Sequence, residues 1–226
     1  MNRPTVEGVR RNPLWFWCQV LLRIFFVGWL RYRAHGVRHV PGAGAALLVA
    51  NHQSFLDPLL VGLPLARPVS YLARDSLFRV PIIGWILRHA YVIPISRERV
   101  GGEAFRRAVE RLERGFLVGV FPEGTRTPDG RMRPFKPGFL AILRRAEVPV
   151  IPVGIAGAFD AFPRGSYRIA AAPVTVVFGE PITVSRSEAG DRQVQTALVC
   201  RIEDAVRRCQ QQAERLLRER NGGADF

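Results

Sequence analysis

Two short polar segments of this chain carry residue types that could together deprotonate a hydroxyl group beside a bound anion. The first segment is Asn51-His52-Gln53-Ser54-Phe55-Leu56-Asp57, and the second is Phe121-Pro122-Glu123-Gly124-Thr125-Arg126. The first supplies an imidazole that could accept a proton and a carboxylate to hold that imidazole. The second supplies a carboxylate, a flexible backbone and a guanidinium. The two segments therefore predict general-base chemistry next to an anion site.

The five-residue spacing of His52 and Asp57 decides how the two side chains can meet. On one straight helix this spacing places them about 140° apart. We therefore expect His52 in the turn after a strand and Asp57 in the first turn of the following helix. A carboxylate bound to one ring nitrogen fixes the tautomer and leaves the other nitrogen free to take a proton. A purely structural alternative exists, because Ser54 and Asp57 also fit a helix capping box.

The second segment and its surroundings offer groups that could bind an anion or a polyol. Gly124 lets backbone approach a ligand closely, and Arg126 can bind a phosphate through two hydrogen bonds. Glu123 could accept hydrogen bonds from a polyol or orient Arg126; the alternative is a surface turn with an exposed ion pair. Lys136 adds a cation at the predicted start of a helix, and Arg97 ends a predicted strand. We expect these groups to converge on one rim of a sheet.

Short apolar runs alternate with segments of helical periodicity along the chain. Strands are predicted at residues 45–51, 69–73, 91–96, 116–121, 148–155 and 174–178. Helices are predicted at residues 102–114, 139–146 and 191–220. The alternation predicts an α/β domain with a largely parallel central sheet flanked by helices. The apolar face of the last helix, from Val194 to Leu216, is expected to cover the domain, with dimerisation as the alternative.

Residues 14–30 are strongly apolar and are flanked by arginines, which favours contact with a membrane. Three tryptophans and the flanking charges suit a helix that lies in the membrane interface. The segment is at the short limit for a spanning helix, and Arg23 would be costly at the bilayer centre. A spanning helix and an ordinary core helix are the alternatives. Residues 76–90 are also apolar and form either a buried connector or a second surface that touches the membrane.

The chain has 226 residues, and 33 basic against 19 acidic side chains give it a net charge of +14. This excess favours an anionic partner such as an anionic membrane surface. Nucleic acid is not expected, because the arginines are dispersed and no nucleic-acid motif is present. Cys18, Cys200 and Cys209 match no metal spacing, and we expect them to be free, reduced and buried. The sequence shows no metal cluster or dinucleotide fingerprint, so neither a metal nor a cofactor is expected.

Four segments of the chain occur in an order known from a protein family. They are Asn51-His52-x-Ser54-x-x-Asp57, Arg97 after an apolar strand, residues 121–126, and Val150-Ile151-Pro152-Val153. Together they resemble the four ordered motifs of the glycerolipid acyltransferase family, and above all the type that acylates 1-acylglycerol-3-phosphate. The resemblance spans roughly residues 37 to 182; its first and third motifs are specific, and the other two are weak alone.

The resemblance implies a mechanism. His52 resembles the general base that removes the proton from the acceptor hydroxyl, and Asp57 resembles its orienting partner. The alkoxide attacks the thioester of acyl-CoA or acyl carrier protein, which are co-substrates, and phosphatidic acid forms without a covalent acyl-enzyme. The implied acceptor-binding residues are Arg97, Glu123, Gly124, Thr125 and Arg126, to which we add Lys136 from its position.

This interpretation divides the chain into a membrane-associated helical segment at residues 1–36, an acyltransferase domain at 37–190 and a C-terminal helix at 191–226. We expect a peripheral or monotopic protein on the cytoplasmic face of the cell membrane, acting on a lysophospholipid. Residues 91–96 lack the glycine often found in the second motif, so the acceptor could be another lysolipid, such as a lyso-ornithine lipid. A rival class is a non-catalytic lipid-binding protein of the membrane surface.

Overall fold

The computed structural model describes residues 13–79, 84, 92–95 and 102–222, and its elements alternate as predicted. Its helices are α1 (Pro13–Trp29), α2 (Asp57–Gly62), α3 (Gly102–Glu113), α4 (Leu140–Leu143), α5 (Ala158–Ala161), α6 (Arg186–Gly190) and α7 (Gln195–Gly222). Its strands are β1 (Arg33–His35), β2 (Ala46–Ala50), β3 (Val69–Arg74), β4 (Ile93–Ile95), β5 (Leu117–Val120), β6 (Val150–Ala156) and β7 (Thr175–Phe178). Short 3-10 turns occupy Val37–His39, Asp75–Arg79 and Pro137–Phe139.

The seven strands form one sheet in the order β1-β7-β6-β2-β5-β3-β4. Every neighbouring pair is parallel except β6 and β7, which are antiparallel. The prediction of a largely parallel α/β sheet is therefore confirmed. Strands β2, β5 and β6 are buried along their whole length, which explains why they read as continuous apolar runs. Because β2 and β5 are parallel neighbours, the segments that follow them meet at one edge of the sheet.

Each face of the sheet has its own hydrophobic core. Leu48 and Ala50 of β2 pack into a core that includes the end of α1, together with α2 and α5. Leu47 and Val49 pack into a second core with α3, α4, α6 and α7. Side chains of a strand alternate between the two faces, so His52 continues the series of Leu48 and Ala50. The imidazole accordingly lies on the side of the sheet that carries α1 and α2.

The apolar N-terminal segment forms α1, a helix with one packed and one exposed face. Phe26 and Leu30 are buried against the domain, and the Gln19 amide donates to the carbonyls of Leu63 and Leu65. The opposite face exposes Trp17, Leu21, Ile24, Phe25, Val27 and Trp29. Among the described residues, no helix is long and apolar enough to cross a membrane. Of residues 76–90, most lie outside the described residues, so the role predicted for that stretch stays open.

The C-terminal helix covers the sheet as predicted, but it begins later than the sequence suggests. Helix α6 comes first, capped by the Ser185 hydroxyl, and Asp191 ends it. Helix α7 then packs on β6 and β7. Val194 precedes the helix and is exposed, so its assignment to the inner face was wrong.

The cysteine prediction is confirmed only in part. Cys200 and Cys209 are both free thiols, and Cys209 is buried. Cys200 is exposed, so the expectation that it is buried was wrong. The reason is its position on the outer face of α7, nine residues before the buried Cys209. The side chain of Cys18 lies outside the described part of the chain.

Candidate active site

The turn after β2 brings His52 and Asp57 into direct contact. Asp57 Oδ2 lies 2.8 Å from His52 Nδ1 and also accepts the backbone amides of Gln53 and Ser54, at 2.6 and 2.7 Å. Asp57 is fully buried, whereas 19% of the His52 side chain is exposed. Helix α2 begins at Asp57, so the predicted strand–turn–helix geometry is correct. The carboxylate thus both satisfies turn amides and holds the imidazole.

The contact with Asp57 sets the chemistry open to His52. With Nδ1 facing the carboxylate, Nε2 is left without a hydrogen-bond partner among the described residues, so it could accept a proton. Burial raises the pKa of the Asp57 carboxyl, while its hydrogen bonds to His52 and to two amides lower that pKa. A buried carboxylate beside the ring would stabilise the imidazolium that forms when Nε2 takes a proton.

Aromatic side chains hold the other side of the His52 ring. The imidazole stacks on Phe121, with the ring centroids 4.2 Å apart and the planes inclined by 18°. Phe121 in turn stacks on Tyr71 of β3, with 5.6 Å between centroids and an angle of 13°. This row crosses the neighbouring strands β2, β5 and β3 on one face of the sheet. The ring of His52 is therefore fixed by Asp57 at one atom and by Phe121 over its face.

Glu123 is buried behind the turn and binds backbone. Only 2% of Glu123 is exposed. Its Oε1 accepts the His52 amide at 2.7 Å, and its Oε2 accepts the Arg133 amide at 3.1 Å. Burial raises the pKa of Glu123 to about 7, although both hydrogen bonds lower it. The sequence suggested that Glu123 binds a polyol or orients Arg126; in the structure its two oxygens position the His52 turn.

Further hydrogen bonds fasten the His52 turn to the segments around it. The Thr127 amide donates to the His52 carbonyl at 2.9 Å. The Asn51 side chain donates to the Ile155 carbonyl at 3.0 Å and accepts the Ile155 amide at 2.8 Å. The Ser54 hydroxyl donates to the Phe162 carbonyl at 2.8 Å. These hydrogen bonds were not predicted. A polar residue such as Asn51 at the end of a buried strand could have indicated a hydrogen bond to the neighbouring strand.

Cationic groups lie on the outer side of the second segment. Gly124 has a φ of 73°, in the left-handed region that favours glycine, and a Cβ there would lie 3.2 Å from Lys136 Nζ. The Arg126 guanidinium lies over the ring of Phe55, 5.6 Å from its centroid. Gly124 and Lys136 are thus adjacent, and Arg126 rests on an exposed aromatic side chain of the first segment.

The structure brings only some of the predicted site residues into direct contact. His52, Asp57 and Glu123 are linked by hydrogen bonds, while Gly124, Thr125, Arg126 and Lys136 lie in or beside the loop that Glu123 begins. Thr125 is half-buried. Arg97 lies outside the described residues. Within the described part of the chain, no three His, Cys, Asp or Glu side chains are grouped so as to hold a metal ion.

Comparison with known proteins places this geometry in context. Residues 31–156 match the protein family described as Acyltransferase. The chain is 34% identical over 157 residues to the chloroplastic 1-acyl-sn-glycerol-3-phosphate acyltransferase BAT2 of Brassica napus, covering 68% of this chain and 45% of that protein. It is 25% identical over 154 residues to the 1-acyl-sn-glycerol-3-phosphate acyltransferase of Bacillus subtilis (strain 168), covering 66% of this chain and 73% of that protein.

A solved structure is also similar. The crystal structure of the 1-acyl-sn-glycerophosphate acyltransferase PlsC from Thermotoga maritima superposes with a TM-score of 0.72 at 26% sequence identity. The match covers 91% of this chain and 82% of that one. The chain spans about half the length of the plant relatives it matches.

Proposed function

The chain belongs to the acyltransferase family, and from that premise we propose that it acylates 1-acyl-sn-glycerol-3-phosphate. The acyl group comes from a thioester, either acyl-CoA or acyl carrier protein, and the product is phosphatidic acid for phospholipid synthesis. The observation that carries this proposal is the 2.8 Å contact between His52 Nδ1 and the buried Asp57, with Nε2 unpaired in the part of the chain that the structure describes. The names of the relatives from Brassica napus and Bacillus subtilis support the choice of acceptor.

The dyad can perform the transfer by general-base catalysis. His52 Nε2 takes the proton of the acceptor hydroxyl, because an alcohol is a poor nucleophile while it keeps that proton. The oxygen attacks the thioester carbonyl, the new ester C–O bond forms and the C–S bond breaks. His52 then returns the proton to the departing thiolate. Asp57 keeps Nδ1 protonated throughout and stabilises the imidazolium between these two steps.

The cations of the rim supply a site for the acceptor phosphate. Lys136 lies beside the open backbone of Gly124, where the absence of a side chain lets a phosphate oxygen approach. Arg126 can bind that phosphate through its planar guanidinium while it rests on Phe55. Arg97, outside the described residues, is proposed as a further ligand. The exposed ring of Phe55 offers apolar surface to the acyl chain next to the phosphate.

The exposed face of α1 supports a place at the membrane surface. Its six large apolar side chains, the Trp17 and Trp29 rings among them, are unusual in water and suit the lipid interface. Arginines add positive charge just after the C-terminal end of α1. Arg220 donates to the Arg31 carbonyl, and Arg33 lies close to Arg220. We propose a peripheral protein that binds anionic lipid on the cytoplasmic face of the cell membrane.

The test is acyl transfer by the purified full chain in lipid or detergent. Acyl-CoA and acyl carrier protein are supplied as donors, and a panel of lysolipids, lyso-ornithine lipid included, as acceptors. His52→Ala is the inactive variant. His39→Ala is the matched control, because the ring of His39 bonds the Phe178 carbonyl at the distant β1–β7 end of the sheet.

Each outcome of this assay decides one point. Activity on 1-acyl-sn-glycerol-3-phosphate that is lost in His52→Ala and kept in His39→Ala would establish the proposal. Activity confined to another lysolipid would keep the mechanism and change the acceptor. A folded, membrane-bound protein without activity on any acceptor would instead be a lipid-binding protein, and the proposal would be wrong.

A further inference from the structure

One buried oxygen of the dyad and one buried hydroxyl on the same side of the sheet have no hydrogen-bond partner among the described residues. They are the hydroxyl oxygen of Tyr71 and Oδ1 of Asp57, the carboxylate oxygen that His52 does not use. Tyr71 is 6% exposed, and Asp57 is fully buried. Leaving a buried hydroxyl or carboxylate oxygen unbonded is costly, so two such atoms in one region call for a common explanation.

Tyr71 occupies a place that the fold makes for it. Its side chain packs into the core that lies beneath α2 and the end of α1. Its ring passes over Gly119 of β5, where even a Cβ would collide with the Tyr71 ring atoms. From there it stacks on Phe121, which carries the imidazole of His52 on its other side. Because Gly119 of β5 has no side chain, the row of aromatic rings can extend from Tyr71 of β3 to His52.

The charges around Tyr71 make its hydroxyl a donor. Burial, the Asp57 charge and Tyr32 all hold the Tyr71 pKa well above its ordinary value, so the group keeps its proton. The Tyr32 hydroxyl is already used, since it donates to the Leu60 carbonyl at 2.7 Å. Glu123 faces the dyad from the loop after β5, but its two oxygens already accept the His52 and Arg133 amides. Lys136 lies beside Gly124 of the same loop. The Ser70 hydroxyl is also buried without a partner among the described residues, but alternation along β3 places it on the opposite face of the sheet from Tyr71. Tyr71 is therefore the donor that remains for Asp57 on the His52 side.

We propose that Tyr71 is a positioning residue of the dyad: its hydroxyl donates to a bridging water, which in turn donates to Asp57 Oδ1. Its ring also supports the Phe121 face on which the imidazole rests. A donor at Oδ1 stabilises the ionised carboxylate and fixes its plane, which keeps Oδ2 directed at Nδ1. The inference rests on the proposed function, because it assigns Tyr71 a role in the ionisation state that the general base needs.

The test is Tyr71→Phe, which keeps the ring and its stacking and removes only the hydroxyl. We expect kcat to fall about three- to tenfold with KM unchanged, the effect of losing one ordinary, water-mediated hydrogen bond. We also expect the acid limb of the pH–rate profile to move up by about half to one pH unit, because an unsupported carboxylate favours protonation of the dyad. The imidazole proton resonances of His52, assigned with His52→Ala, should show the same displacement in their titration midpoint.

Tyr32→Phe is the matched control, because it removes a buried hydroxyl that bonds a carbonyl of α2. It should lower the melting temperature and leave both the pH–rate profile and the His52 titration in place. The inference is overturned if Tyr71→Phe displaces neither the acid limb of the pH–rate profile nor the His52 titration midpoint, whatever happens to the melting temperature. The NMR titration needs no substrate, so it tests Tyr71 even if the wild-type protein acylates none of the acceptors.

Discussion

The two edges of the sheet bury charges in opposite ways. At the edge where β2 and β5 end, Asp57 and Glu123 accept backbone amides. At the edge where the strands begin, Arg67 donates to the carbonyls of Pro41, Gly44 and Gly115, each of which precedes a strand. Both arrangements satisfy buried charge with backbone groups, as burial requires. At the first edge, the buried Asp57 is also joined to a partly exposed titratable side chain, His52.

This difference explains how a catalytic site can arise from a buried charge that stabilises the backbone. Arg67 is 3% exposed and donates to carbonyls in the loops before β2 and β5, so its charge fixes the course of these two loops. Asp57 fixes a turn in the same way, but one of its three donors is an imidazole that reaches the surface. The same buried charge therefore both shapes the backbone and sets the protonation of a reactive group. Variants at the two edges should separate these effects.

The largest effect is expected from Asp57→Asn. The amide cannot stabilise an imidazolium, so kcat should fall by about 10²- to 10⁴-fold, the range of general-base catalysis. Stability should fall as well, because the Gln53 and Ser54 amides lose a charged acceptor. Steady-state kinetics and urea unfolding measure the two effects. A variant with wild-type kcat would remove Asp57 from the mechanism.

Arg67→Met should affect stability alone. Three loop carbonyls lose their donor, which predicts a decrease of about 2–4 kcal/mol in the free energy of unfolding. The kcat of the folded fraction should match the wild type, because Arg67 lies at the opposite edge from His52. Urea unfolding with kinetics at 15 °C compares both quantities. A loss of kcat as large as that in Asp57→Asn would abolish the distinction between the edges.

The exposed face of α1, on the His52 side of the sheet, is expected to bind the membrane. Ile24, 68% exposed, is changed to Glu, which should weaken binding to phosphatidylglycerol-containing vesicles about tenfold. Val194→Glu is the matched control, since Val194 is an exposed apolar residue that precedes α7. Vesicle co-sedimentation measures both variants. Equal loss in the two would indicate a general charge effect instead of a docking face.

The smallest effect concerns Glu123, whose pKa is raised from 4.5 to about 7 by burial. The folded state then binds more protons than the unfolded state between these values, so Glu123 costs stability as the pH rises from about 4.5 to 7. We expect wild-type protein to lose about 1–2 kcal/mol over this window that Glu123→Gln does not lose. Urea unfolding of both proteins at pH 5 and 7.5 measures the difference. Parallel losses in the two proteins would assign the pH dependence to other groups.

The sequence was most informative where contacts are local. His52 and Asp57 meet within one turn, so their spacing alone predicted the strand–turn–helix geometry that the structure shows. The apolar runs predicted six strands, but β1 was missed because Arg33–His35 is short and partly exposed. Helix α6 was missed because its five residues, Arg186–Gly190, are too few to show a helical period in the sequence.

The contacts that the sequence could not indicate depend on the order of the strands. Glu123 reaches the His52 amide because β5 lies beside β2, and Tyr71 joins the aromatic row because β3 lies beside β5. No periodicity in the chain encodes these neighbours, which are up to 71 residues apart. For the same reason the sequence did not indicate that Glu123 accepts two backbone amides, and the substrate-binding role suggested for it stays a prediction.

Asn51 has a consequence for how the chain reaches this structure. Its side chain bonds both backbone groups of Ile155 and so pins the end of β2 against β6 at one alignment. A strand that slipped by a single residue during folding would turn every side chain over and carry the imidazole to the wrong side of the sheet, away from Asp57. Apolar runs such as β2 and β6, buried on both sides, penalise such slippage weakly. The Asn51 amide meets both backbone groups of Ile155 only in the native alignment, so it favours that alignment over the slipped one.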